Sequence, residues 1–382
     1  MRGILTLLMA IATAVSAADP RARELGVPFE GEPGPLNAIT DVAGVTVGQV
    51  TLIEDLANGR RVRTGVTAIL PRGRGSIRIP VFGGSTVLNG AGEMTGRAWI
   101  EESGMLDGPV MLTNTYSVGT VHQATIAWRV RQGKADSSGY YWATPVVAET
   151  WDGYLNDDIG FHVKPAHVDT ALETAAAGPV AEGNVGGGTG MVCHGFKCGI
   201  GTSSRRVAIA GRTHTIGVLV QSNYGTRESL RIAGVPVGRH IEGGRPDPEA
   251  SSDGDSGSII IVVATDAPLL PHQLERVARR AGMGLARMGS FAGNGSGDIF
   301  VAFSTANAKA MDGGRVASAQ FLENGRLDGI FEATVQATEE AIVNSMVAAR
   351  DMQGNAGHAV RALPQEELKA LLKSYGRLST PR

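Results

Sequence analysis

In DGDSGSIIIVVATD, residues 253–266, Ser258 follows Gly257 and opens an unbroken run of Ile and Val. Cleavage in front of it would leave Ser258 with a free α-amine that titrates at about pH 8, in part neutral at working pH and in reach of its own hydroxyl, directly or through one water. The serine would then carry its own base. Gly257 favours such a cut, because a residue without Cβ tolerates the bent backbone a hydroxyl needs to attack the preceding carbonyl. The chemistry indicated is nucleophilic acyl transfer, performed once on the chain and thereafter on substrate bonds. The plain alternative is a Gly-Ser pair that merely sits in a loop.

Other chemistry-bearing patterns are weaker. GNVGGGTGM from Gly183 lacks the G-x-G-x-x-G spacing of a dinucleotide loop, so no cofactor is expected. None of the eight histidines forms an H-E-x-x-H or comparable ligand cluster, and no metal is required. Cys193 and Cys198 in CHGFKC allow a small-loop disulfide, but two cysteines packed as small residues in neighbouring strand positions is the favoured reading.

The chain has 382 residues, 42% hydrophobic and 19% charged, which suffices for one large domain or two. A net charge of −2 lacks the basic field that phosphate backbones require, so nucleic acid is not expected as a partner. The 53 glycines are spread along the chain and read as tight turns and close backbone approaches. Residues 1–18 have a basic start, an apolar run and small residues before Asp19. This is the layout of a signal peptide, with a buried N-terminal helix as the alternative, and it predicts an exported, periplasmic protein that is off the membrane once the signal is removed.

A serine at the mouth of a buried strand needs a frame around it. Alternating Val45, Val47 and Val50 suggest an early strand, followed by strands at 66–70, 77–82, 110–112, 146–149, 191–195, 207–210 and 216–221. Residues 258–265, apolar on both faces, predict a strand lying between two layers. Helical spacing predicts helices over 120–131, 269–288, 332–352 and 364–374, with prolines 268 and 271 suiting the first turn of the second. Between them, 223–257 turns polar and rich in Pro, Gly and Ser, the kind of segment where chains are cut. Mixed strands and helices without βαβ alternation favour a layered α+β sandwich.

SGSIIIVVATDAPLLPHQLERVARRAGMGLARMGS with GNGSGDIFVAFSTAN, together with PGPLNAITDVAGVTVG, VLNGAGEMTG, LTNTYSVGT, PVVAETWDGYLND, GNVGGGTGMVCHGFKCGIGTSSR and VQSNYG, resembles the self-processing aminopeptidases that include L-aminopeptidase/D-Ala-esterase/amidase and the β-peptidyl aminopeptidases. The likeness spans nearly the whole mature chain. It implies one four-layer αββα catalytic domain over 19–382, of the N-terminal-nucleophile hydrolase type, cut between Gly257 and Ser258 into an α-chain (19–257) and a β-chain (258–382) that stay associated. It also implies Ser258 as nucleophile, Ser296 and Asp298 as the groups that orient and activate it, Asn223 as a donor to the oxyanion, Glu149 as holder of the substrate ammonium, and a tetramer or larger ring.

Each role has a physical rationale and a bland alternative. One prepositioned donor to an oxyanion contributes about 3 kcal/mol, but Asn223 could instead cap its turn. A carboxylate at the cleft selects substrates with a free N-terminus, but Glu149 could be a surface acid at a strand end. GNGSGD could be a hairpin turn with Asp298 bonded only to backbone. Some family members have a tyrosine where Trp151 aligns among the substrate-binding positions, and an indole cannot accept a hydrogen bond as a phenol oxygen can. Tyr154 would compensate only if its segment were helical. In some members Glu replaces the acid at Asp298. The expected function is removal of N-terminal residues from short peptides, amides or esters; the rivals are an acyltransferase of the ornithine acetyltransferase type and a periplasmic solute-binding protein.

Overall fold

The computed structural model describes residues 20–74, 79–133, 142–241, 257–311 and 316–380. The proposed signal peptide and residues 242–256 of the polar segment lie outside them. Its strands and helices run β1 (Thr46–Asp55), β2 (Arg61–Leu70), β3 (Val81–Gly90), α1 (Arg97–Ser103), β4 (Met105–Leu106), β5 (Val110–Asn114), α2 (Val118–Arg131), β6 (Val146–Thr150), α3 (Pro165–Glu173), β7 (Val192–Cys193), β8 (Phe196–Lys197), β9 (Ile200–Ile209), β10 (Arg212–Asn223), α4 (Val237–His240), β11 (Ser258–Thr265), α5 (Pro271–Arg287), β12 (Gly297–Ser304), α6 (Asp328–Val347), β13 (Met352–Gln353), β14 (Ala359–Val360) and α7 (Gln365–Ser374).

Two sheets carry the molecule. One orders its strands β1-β2-β5-β6 and the other β4-β3-β12-β11-β10-β9. Each β11 residue is buried, and alternation divides them: Ile259, Ile261 and Val263 face a core shared with α5 and α6, while Ile260, Val262 and Ala264 face the core between the sheets. A third core packs α2 and α3 on the outer face of the four-stranded sheet. Three cores between four layers make the αββα sandwich, and burying each Ile or Val contributes about 1.5–3 kcal/mol. Helix α5 lies across β3 because Gly84 has no side chain; a Cβ there would come within 2.8 Å of the Glu275 Cα.

Several expectations need correction. Helix α6 stops at Val347, and Met352 belongs to β13. The strand over 191–195 is a two-rung hairpin, because His194 (φ 49°) and Gly195 (φ 70°) turn the chain between β7 and β8. Cys193 and Cys198, read as packed cysteines, are joined by a disulfide. Ala210 lies in the tight turn beyond β9, at φ 52°, rather than in a strand. The strand placed over 77–82 starts at Val81 in its described part and runs on to Gly90.

Candidate active site

Ser258 is the first residue of β11 and is 6% exposed. The parallel pairing of β11 with β12 sets it opposite Gly297, whose N–H donates to Ser258 Oγ at 3.1 Å and to the Gly257 carbonyl at 3.2 Å. One backbone donor thus serves both the nucleophile and the carbonyl it would attack. Only glycine fits at 297: a Cβ there would lie 2.6 Å from the Ala91 carbonyl oxygen and 2.8 Å from the Gly92 Cα. Gly257 is equally confined, since its Cβ would run into the Asn223 carbonyl and the Tyr224 backbone.

On the other side of β11, antiparallel pairing places Asn223, the last residue of β10, opposite Ser258. Its carboxamide is held from both ends: Oδ1 accepts the Val192 N–H at 2.9 Å, and Nδ2 donates to the Trp151 carbonyl at 2.9 Å. Nδ2 carries a second hydrogen, so the group can also serve an oxyanion. Asn223 therefore does more than cap its turn. Trp151 contributes its carbonyl to this bracket, while its indole is 44% exposed and donates to Asp158 Oδ2 at 3.0 Å. The Tyr154 ring stacks on His358 at 4.3 Å.

Glu149 lies on β6 and is 4% exposed, so it is not a surface acid. Oε1 accepts the Glu93 N–H at 2.9 Å, and Oε2 accepts the Thr115 hydroxyl. Burial pushes its pKa above the ordinary glutamate value, against the pull of these two donors. Gly92 joins this carboxylate to the serine end of the sheet: a Cβ there would sit 3.1 Å from the Gly297 Cα and 3.3 Å from Glu149 Oε1. The carboxylate and Gly297 thus flank one glycine.

Ser296 and Asp298 are fully buried on either side of Gly297, and Ser296 Oγ donates to Asp298 Oδ1 at 2.7 Å. GNGSGD is consequently the lead into β12 rather than a hairpin turn, and Asp298 is bonded to a side chain. Sequence reasoning missed Gly297 and Thr115. Gly297 signalled itself only as a glycine between two polar residues, and Thr115 only as part of LTNTYSVGT. The Gly-rich stretch 186–188 is a structural turn: the Gly186 and Gly187 N–H groups donate to the hydroxyls of Thr51 (2.9 Å) and Thr67 (3.1 Å).

A four-layer αββα sandwich with a serine at the head of a central strand, a backbone donor beside it and a carboxylate near by defines a hydrolase of the N-terminal-nucleophile fold. Residues 37–360 match the model of peptidase family S58. The chain belongs to that family and is a serine aminopeptidase/amidase. It is 55% identical to the β-peptidyl aminopeptidase BapA of Sphingosinicella microcystinivorans, over 98% of this chain and 97% of the relative. The corresponding enzyme of Sphingosinicella xenopeptidilytica is 47% identical, over 96% and 94%. The solved L-aminopeptidase D-Ala-esterase/amidase of Ochrobactrum anthropi, described as a prototype of the serine aminopeptidases with a variant of the Ntn-hydrolase fold, superposes with a TM-score of 0.89 at 49% identity, covering 94% of this chain and all of that one. A solute-binding role is not retained.

Proposed function

We propose that this chain is exported, cuts itself between Gly257 and Ser258, and then removes N-terminal residues from short peptides, amides or esters through an acyl-enzyme on Ser258. The observation that carries this reading is the Gly297 N–H shared between Ser258 Oγ and the Gly257 carbonyl. Ser258 Oγ adds to the Gly257 carbonyl carbon and the C–N bond breaks, leaving an ester on the hydroxyl and the α-amine of Ser258. Water then hydrolyses the ester and leaves a carboxylate on Gly257.

The same groups serve turnover. The α-amine takes the hydroxyl proton as Oγ attacks a substrate carbonyl, and Gly297 N–H with Asn223 Nδ2 stabilises the oxyanion. The Ser296–Asp298 couple orients the nucleophile's end of the strand. The Glu149 carboxylate receives the substrate ammonium, and the exposed Trp151 indole walls the substrate beside it. The α- and β-chains remain together and assemble as a tetramer in the periplasm, where the Cys193–Cys198 disulfide is at home.

Mass spectrometry of purified protein tests the central step. Two chains are expected, the second beginning SIIIVV, while Ser258→Ala stays a single chain. A Ser258→Ala variant split at the same bond would show that a host protease makes the cut and would remove the mechanism's main support. Turnover of an aminoacyl-p-nitroanilide panel by the cut enzyme reads the preferred N-terminal residue.

A further inference from the structure

Lys197 is fully buried, next to the active site but outside the chemistry described above. Its ammonium is wrapped by main chain: Nζ donates to the carbonyls of Met191 at 2.7 Å, Cys198 at 2.5 Å and Gly188 at 3.5 Å. Three carbonyls match the three N–H bonds of an ammonium. They belong to the glycine-rich turn and to both ends of the disulfide-closed hairpin of β7 and β8. Across that hairpin Lys197 pairs with Val192, and the Lys197 N–H is itself anchored to the Arg361 carbonyl at 2.8 Å. Val192 is the residue whose N–H fixes Asn223 Oδ1.

We propose that Lys197 is a positioning residue for the reaction, holding the 188–198 segment so that the Val192 N–H turns the Asn223 carboxamide toward the oxyanion. The glycine-rich turn and CHGFKC, which otherwise have no part in the chemistry, become one frame around a single amine. Burial pushes the Lys197 pKa well below the usual lysine range, and the nearby Asp152 carboxyl opposes that push. Such a costly group in a turn that water could have satisfied points to a requirement for fixed geometry. The inference rests on the oxyanion role proposed for Asn223.

A double-mutant cycle tests it, using Lys197→Met, Asn223→Ala and the pair, with kcat and KM measured on one aminoacyl-p-nitroanilide and rates counted per processed site. Lys197→Met is expected to lower kcat by about 10-fold or more with KM changed by less than about 2-fold, since Glu149 is held by other contacts. Against an Asn223→Ala background the same change should cost less than about 3-fold. Lys197→Gln keeps two N–H donors and should recover part of the rate; it takes the place of Met throughout the cycle if the Met variant does not process. An unchanged kcat in Lys197→Met, or equal costs in both backgrounds, overturns the proposal. An unchanged kcat in Asn223→Ala overturns the oxyanion reading itself, and this inference with it.

Discussion

Ser258 and Gly297 stand opposite each other at the head of the β11–β12 pair, with the glycine N–H 3.1 Å from the serine Oγ. This contact gives position 297 two jobs in one atom pair: it donates to the reacting groups, and its missing side chain leaves room for the 91–92 backbone. Gly297→Ala therefore pushes main chain, which cannot yield as a flexible side chain could. The variant is expected to process slowly and, once cut, to lose about 10²–10³-fold in kcat, the usual cost of one oxyanion donor. Single-turnover cleavage of the precursor and steady-state kinetics check the two halves; wild-type rates in both would contradict the assignment.

The buried Glu149 carboxylate should discriminate substrates by their amine. Glu149→Gln is expected to raise KM about 100-fold for a free aminoacyl amide, on the order of 3 kcal/mol for truncating one partner of a desolvated charge pair. Its N-acetylated analogue should respond little. Because burial raises this pKa, the carboxylate takes up its proton above the ordinary glutamate range. Affinity for the amine substrate is then present at higher pH and lost as pH falls through that raised value. The wild-type KM should rise toward acid while the Gln variant stays flat, and parallel profiles for the two would contradict the role.

The parts of this site differ in how they were legible. Strand β11 could be read to the residue, because a run of Ile and Val has no other stable home than between two layers. Helix α5 could be read because its apolar stripe is one-sided and Pro271 marks its first turn. By contrast, β3 is VFGGSTVLNG, whose glycines suppress the strand signal beyond Phe82; it continues as a strand to Gly90 because β12 pairs with it and α5 needs its bare surface. Helix α6 is buried almost all round, so no periodicity marked where it ends. Asn223 and Glu149 were assignable through family likeness alone, since the Val192, Trp151, Glu93 and Thr115 partners that define them come from distant stretches of chain.

Asp152 sits behind the Asn223 bracket and makes stability depend on pH. It is buried and accepts the side-chain N–H groups of Asn114 and Asn156, both at 3.1 Å. Burial pushes its pKa up to about 7, against those hydrogen bonds. A carboxyl with a raised folded-state pKa contributes stability that is fully present below the unfolded value of about 3.9 and is lost as pH rises toward 7. Asp152→Asn lacks this titration. Relative to wild type it should gain on the order of 4 kcal/mol between pH 4 and pH 7, at about 1.4 kcal/mol per pH unit. Urea unfolding at stepped pH measures the difference, and a constant offset would contradict the burial argument.

Glu340 links the two proposed chains. Arg23 and Arg205, both ahead of the cut, reach its carboxylate at 2.8 and 2.7 Å, and Asn37 donates to it at 2.6 Å. Burial alone would raise its pKa, but the two guanidinium groups outweigh that and hold it below the ordinary value. Stability from this cluster is accordingly present above the unfolded glutamate pKa and fades as pH falls through the depressed one. Glu340→Ala leaves Arg205, 1% exposed, buried without that carboxylate, which costs about 3–5 kcal/mol. Processed enzyme carrying it should unfold on the order of 5 °C lower and release its α-chain at lower urea than wild type, with kcat at 25 °C little changed. Size-exclusion chromatography in urea follows the separation; co-elution to the wild-type midpoint would show that the cluster does not hold the pair together.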